Sequence, residues 1–122
     1  MEMRKFGLTD LMVSQVCLGC MGFGEANSGM HAWTVDYPTS ARLIHEAQGL
    51  GINFFDTADT YGHGHNEQLL GQFIARYRTE REAMVIATKF GIVRAENHYK
   101  RRIDNTPDYI RSACEASLKR LD

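Results

Sequence analysis

The stretch that most constrains this chain is a short apolar run ending on a carboxylate. Ile52 to Phe55 leads into Asp56, and Thr57-Ala58-Asp59-Thr60-Tyr61-Gly62 follows. Hydrophobicity here is continuous rather than alternating, which suits a parallel strand covered on both faces. A strand that delivers Asp56 and Tyr61 to its carboxyl end is how an α/β barrel builds an active site. Asn66-Glu67 then reads as the start of a helix, with Asn66 in the capping position.

The neighbouring segments repeat the theme. Residues 1–13 read as a hairpin, with Gly7-Leu8-Thr9-Asp10 as its turn. Three strand-and-helix modules follow, over 15–50, 52–77 and 83–121. In the first, Gln15 to Gly19 is a strand, and Pro38-Thr39-Ser40 opens a helix with a hydroxyl cap. Its apolar face is Leu43, Ala47 and Leu50; Gly49 or Gly51 ends it, and Gly51 is the better candidate for the left-handed stop. In the second, Leu69, Leu70, Phe73, Ile74 and Tyr77 form the buried stripe of a helix. In the third, Ala83 to Thr88 is a strand ending at Lys89. Gly91 to Asn105 is a loop without periodicity, and Thr106-Pro107-Asp108 starts a last helix with Ile110, Ala113, Ser117 and Leu121 on one face. Such alternation implies parallel strands joined by right-handed crossovers. An open doubly wound sheet and part of a (β/α)₈ barrel both satisfy it.

Composition removes several functions. A formal net charge of −1 offers no field for nucleic acid or an anionic membrane. Lys100-Arg101-Arg102, the one dense basic run, reads as a solvated loop. No apolar run approaches a membrane span, and no signal peptide is apparent before Gly7. Three cysteines are an odd number and point to a reducing, cytoplasmic setting. Cys17-Leu18-Gly19-Cys20 has the spacing of a redox pair, but a strand would turn the two thiols to opposite faces, so both read as packing groups. Gly19, Gly22 and Gly24 are not spaced as a dinucleotide fingerprint. They mark a strand end that a ligand approaches closely. His63 and His65 lack a third ligand, so no metal is expected and they read as bordering the substrate opening.

Two strand ends carry ionisable groups. Asp56 ends one, Lys89 ends the next, and Tyr61 lies between. In a parallel sheet these ends share one edge, so the three converge. Free tyrosine titrates near ~10, too high for acid catalysis at neutral pH. A nearby ammonium favours the phenolate and lowers that value. Asp56 would hold Lys89 in place. An ion pair at a barrel mouth with a bystander tyrosine satisfies the spacing equally well.

These residues resemble the signature region of the aldo-keto reductases: Gly51 through Gly62, then Asn66-Glu67, together with Ile86-Ala87-Thr88-Lys89 and the leading Leu18 to Gly24. The resemblance implies a (β/α)₈ TIM-barrel, of which this chain supplies an amino-terminal hairpin and about three modules. It implies NADPH-dependent reduction of an aldehyde or ketone to an alcohol, with NADH not distinguished as cofactor. Tyr61 would be the general acid, Lys89 its tuner and Asp56 the partner of Lys89. Met21, Gly22 and Phe23, with Asp56, would lie beside the nicotinamide. The hairpin would close the bottom of the barrel. The family's histidine follows the fourth strand, and His31, His45, His63, His65 and His98 do not match it.

A whole barrel takes about 250 residues. We therefore expect this chain to be truncated or to pair with further barrel segments, with an isolated active monomer the least expected state. Its partners are expected to be a small carbonyl substrate and, through open strand edges, copies of itself. The alternative is a non-catalytic binding or assembly module that keeps the barrel fragment.

Overall fold

The computed structural model describes residues 1–27, 31–94 and 100–121. An antiparallel hairpin comes first, β1 (Met3–Lys5) with β2 (Met12–Ser14), Arg4 opposite Val13. Three parallel strands follow in consecutive order: β3 (Cys17–Gly19), β4 (Phe54–Asp56) and β5 (Val85–Ala87). Helix α1 (Tyr37–Gly49) joins the first two, and α2 (His65–Arg76) joins the second pair. Leu18, Phe55 and Ile86 stand abreast in register. They pack on one core with Ile44 and Ala47 of α1 and Leu70, Phe73 and Ile74 of α2. Both helices therefore cover the same face. The opposite face carries Cys17, Phe54, Val85, Gly19, Asp56 and Ala87.

Asn53 fastens the hairpin below this sheet. Its side chain accepts from Ser14 N at 2.7 Å and donates to Met12 O at 3.0 Å. Phe6 meets Phe54 edge-on, ring centroids 5.6 Å apart. The hairpin thus lies across the amino-terminal end of β4.

Helix α1 departs from the expected cap. Its N-cap is Asp36, whose carboxylate accepts from Thr39 N at 3.0 Å. Pro38 already occupies the first turn, so the hydroxyls beyond it are inside the helix, and Ser40 donates to Asp36 O instead. Those hydrogen bonds from Thr39 hold the Asp36 carboxyl below the usual range. The buried face is correspondingly rotated to Ser40, Ala41, Ile44 and Ala47, while Leu43 is half-buried and Leu50 is exposed. The expected stop is where the pattern put it. Gly51 has φ +83, Gly51 N donates to Gln48 O and Ile52 N to Ala47 O, the paired closure that a left-handed glycine permits.

The segment after Lys89 is not a plain loop. Ile92–Arg94 (β6) pairs antiparallel with Arg101–Ile103 (β7). Its strands carry Arg and Ile together, so no clean alternation marks them. His98 lies outside the described residues. Helix α3 (Pro107–Leu121) starts as expected, Thr106 Oγ1 accepting from Tyr109 N at 3.4 Å. It buries Ala113 and Ser117 against α2. A methyl group on Gly71 would collide with the Arg120 carbonyl, so this helix pair needs glycine there. Among the described residues no helix is long and apolar enough to cross a membrane.

Candidate active site

The carboxyl ends of β3, β4 and β5 continue past their ladders by backbone hydrogen bonds: Cys20 N to Asp56 O, Thr57 N to Ala87 O and Asp59 N to Lys89 O. Asp56 and Lys89 are thereby brought to one edge. Lys89 Nζ donates to Asp56 Oδ2 and to the Thr57 carbonyl, both at 2.7 Å. Its ammonium stands 5.0 Å from the Tyr61 ring centre. The trio expected from the strand ends is thus assembled in space. Burial works to lower the Lys89 pKa, but hydrogen bonds and charge from Asp56 and Tyr61 outweigh it, and the ammonium is held above its ordinary range. Both side chains of the ion pair are about half exposed, at 50% and 42%. Such pairs contribute about 0–1 kcal/mol, so this one matters for position more than for stability.

Tyr61 is aimed by an unusual turn. Tyr61–Gly64 forms a short 3₁₀ turn in which Gly62, His63 and Gly64 all have positive φ, His63 at +54. Gly64 (φ +88) is the N-cap of α2 with no side-chain cap. Asn66 is therefore not the cap. It sits one residue inside α2, wholly buried, and its amide donates to Cys20 O at 2.6 Å and Phe23 O at 2.7 Å. Its carbonyl oxygen accepts from Thr57 Oγ1 at 2.5 Å. Glu67, also fully buried, accepts from Thr88 Oγ1 and from Arg120 Nε, each at 2.6 Å. One turn of α2 therefore ties the segments following all three parallel strands, and α3 besides. Only the pairing Asn-Glu at the helix start could have signalled this in the sequence.

A cavity of about 320 Å³ opens beside the trio, within the usual size of a small-molecule site. Met21, Phe23, Tyr61, Lys89, Phe90 and Ile92 are among its walls. The long connection before α1 folds back through a Phe23–Val35 bridge, which brings Thr34 and His31 to the rim. His31 stacks on Trp33, centroids 4.6 Å apart. Of the glycines, Gly22 has open space where a Cβ would stand, whereas one at Gly24 would press on Thr34. His63 lines a neighbouring cavity rather than this one, and His65 lines neither. The 3₁₀ turn carries them away from the opening. Asp59 lines both cavities, with a buried Oδ1 that has no hydrogen-bond partner among the described residues. Burial and the Glu67 charge push its carboxyl up, against the pull of Arg120. Among the described residues no three His, Cys, Asp or Glu side chains gather as a metal site.

The two thiols near β3 differ. Cys20 is fully buried, and burial, with the Cys17 and Asp56 charges, pushes it up to about 12. Cys17 is exposed rather than packed, because it points to the uncovered face, and partial burial raises it less. A thiol reagent added to the native protein is expected to modify exposed Cys114 first, Cys17 more slowly and Cys20 only on unfolding. Peptide mass mapping against time checks this. Cys20 reacting as fast as Cys114 would contradict the packing after β3.

The profile of the Aldo/keto reductase family matches residues 15–122. The chain is 40% identical over 118 residues to "Probable aldo-keto reductase 1" of Glycine max, covering 97% of this chain and 32% of that protein. It is 34% identical to versiconal hemiacetal acetate reductase of Aspergillus parasiticus, covering 99% of this chain and 39% of the relative. The holo form of an aldo-keto reductase from Bacillus halodurans superposes with a TM-score of 0.81 at 34% identity, over 99% of this chain and 36% of that one. The chain thus spans about a third of these relatives' lengths, and the likeness resolves the topology that consecutive strands left open. Three barrel modules, a closing hairpin and a match over nearly the whole length place this chain in the aldo/keto reductase family, as a segment of its (β/α)₈ barrel.

Proposed function

We propose that this chain carries the proton-delivering part of the active site of a carbonyl reductase that uses NADPH. The observation that supports the reading best is Lys89 Nζ, 2.7 Å from Asp56 Oδ2 and 5.0 Å from the Tyr61 ring centre, beside a cavity of small-molecule size. The residues present fit the nicotinamide end of the cofactor. Met21 is half-exposed and apolar, Gly22 leaves open space above the backbone, and both lie at the strand end next to Asp56. When bound, the nicotinamide supplies hydride to the carbonyl carbon.

The chain's own residues supply the proton. As negative charge develops on the carbonyl oxygen, Tyr61 Oη donates its proton there. The phenolate left behind is stabilised by the Lys89 ammonium. Asp56 and the Thr57 carbonyl fix that ammonium by two hydrogen bonds, so little reorganisation is needed when charge appears. Asn66 keeps the surrounding strand ends in register.

The direct test is carbonyl-dependent oxidation of NADPH by this chain, alone and mixed with the remaining modules of a related barrel. We expect turnover to need the mixture. A mixture that forms a stable complex and still shows no oxidation with any aldehyde or ketone would sink the reading. One observation favours a second reading, a non-catalytic assembly module: among the described residues β3 and β5 each have an unpaired edge, and Val16, Met21 and Phe90 are exposed. Both readings allow self-association, and sedimentation with an activity assay separates them. Assembly without turnover in the complemented barrel supports the second.

A further inference from the structure

The cavity beside Tyr61 has a cation that the proton-transfer reading does not use. Arg94 ends β6, and the period of a strand puts it on the same side as Ile92, both facing the cavity. Ile92 and Arg94 also line the neighbouring cavity, and with Asp59 and Thr60 they form the wall the two share. Lys89 and Met21 line only the first.

Partner accounting separates the two cations. Lys89 is committed to Asp56 and Thr57. Arg94 makes no ion pair or hydrogen bond among the described residues, and its Nε is shielded from solvent without a partner. A buried donor left unmade is costly, and a charged one more so. The carboxylate among the lining residues, Asp59, does not answer for it. The charges that act on Asp59 are those of Glu67 and Arg120, and burial favours its neutral form. Arg120 itself is spent on Glu67. The other walls of the first cavity include apolar and aromatic side chains, Met21, Phe23, Phe90 and Ile92, beside the neutral hydroxyls of Thr34 and Thr60.

We propose that Arg94 is an anion-binding, specificity-determining residue, and that the carbonyl substrate of this site carries a carboxylate on a small apolar or aromatic body. This rests on reading the cavity as the carbonyl site. A planar guanidinium fork matches a carboxylate by two parallel hydrogen bonds, and lysine cannot reproduce that geometry. A phosphate of the cofactor has the same chemistry, and the test separates the two sources.

The 122-residue chain is titrated with para-carboxybenzaldehyde and with its neutral methyl ester, following fluorescence of Trp33, the chain's only tryptophan, which stacks on the cavity residue His31. The acid is expected to bind the wild type about tenfold or more tighter than the ester. Arg94→Gln should bring the two within about twofold, with ester affinity unchanged, and Arg94→Lys should fall between. Retained ester affinity shows that the variant's cavity is intact. NADPH affinity should be the same in wild type and Arg94→Gln. Equal binding of acid and ester by the wild type, no binding of the acid, or an acid preference that survives Arg94→Gln would each overturn the proposal. Weakened NADPH binding with acid preference intact would also overturn it, assigning Arg94 to the cofactor. Tyr61→Phe should keep the acid preference. An Arg94-dependent acid preference in a complemented barrel without turnover would therefore sink the reductase reading, and with it the carbonyl substrate, while leaving Arg94 as the anion-binding residue of this cavity.

Discussion

Arg120→Met is expected to destabilise the chain by about 3–5 kcal/mol, the cost of leaving a buried ion without its counterion. Glu67 is completely buried, and Arg120 Nε lies 2.6 Å from its carboxylate. Removing the guanidinium leaves Thr88 Oγ1 as the one remaining side-chain partner of that carboxylate among the described residues. Arg120 keeps 23% of its side chain exposed, so water can reach the gap and the lower part of the range is the better expectation. The loss would still be a large share of the ~5–15 kcal/mol that holds an ordinary domain together. The double variant Glu67→Leu with Arg120→Met should recover most of it, since it removes both charges. Urea midpoints of the three variants test this. A loss under about 1 kcal/mol for Arg120→Met would mean the pair is far better solvated than its burial indicates. The ion pair at Lys89 contributes less to stability because both partners are about half exposed.

On the proposed reading, Tyr61→Phe is expected to lower kcat of the complemented barrel by about 10²–10⁴-fold, the usual contribution of a positioned general acid. The substitution removes one oxygen and leaves the ring against the Lys89 ammonium. Substrate affinity and stability should change little, so the loss should appear in kcat with KM nearly constant. Lys89→Met should reduce kcat as well and should also shift its pH profile, because the charge that favours the phenolate is gone. Steady-state rates across pH for both variants decide the assignment. Unchanged kcat in Tyr61→Phe would remove Tyr61 from the reaction, whatever the fate of the Lys89 variant.

Much of the fold was legible because its causes are local. Gly51 stops α1 through its own φ, and Thr106 with Pro107 starts α3 through groups within one turn. The apolar run before Asp56 needed no partner to announce a parallel strand. The cap and buried face of α1 were misread because a proline and two hydroxyls resembled a cap, while the carboxylate that fills the position, Asp36, lies two residues earlier than Pro38. Residues 92–103 read as a loop because each strand of that hairpin is only three residues long and mixes Ile with Arg. Such strands are defined by pairing, which periodicity cannot see.

The candidate site divides in the same way. That Asp56 and Lys89 end neighbouring parallel strands follows from the order of the chain, and with it the expectation that they meet Tyr61. What holds them there does not follow. Asn66 reaches Cys20 across 46 positions, and Glu67 reaches Arg120 across 53. The same two residue types at a helix start would serve equally well as a solvent-exposed cap. Arg94 was silent for a related reason, since an arginine in a basic, aperiodic stretch reads as solvated until its partners can be counted. The sequence by itself determined the order of the modules and the chemistry delivered to their ends, because strand periodicity and helix stops are properties of neighbouring residues. Only the tertiary structure decided which polar side chains are buried and paired, because burial depends on segments that approach from far along the chain.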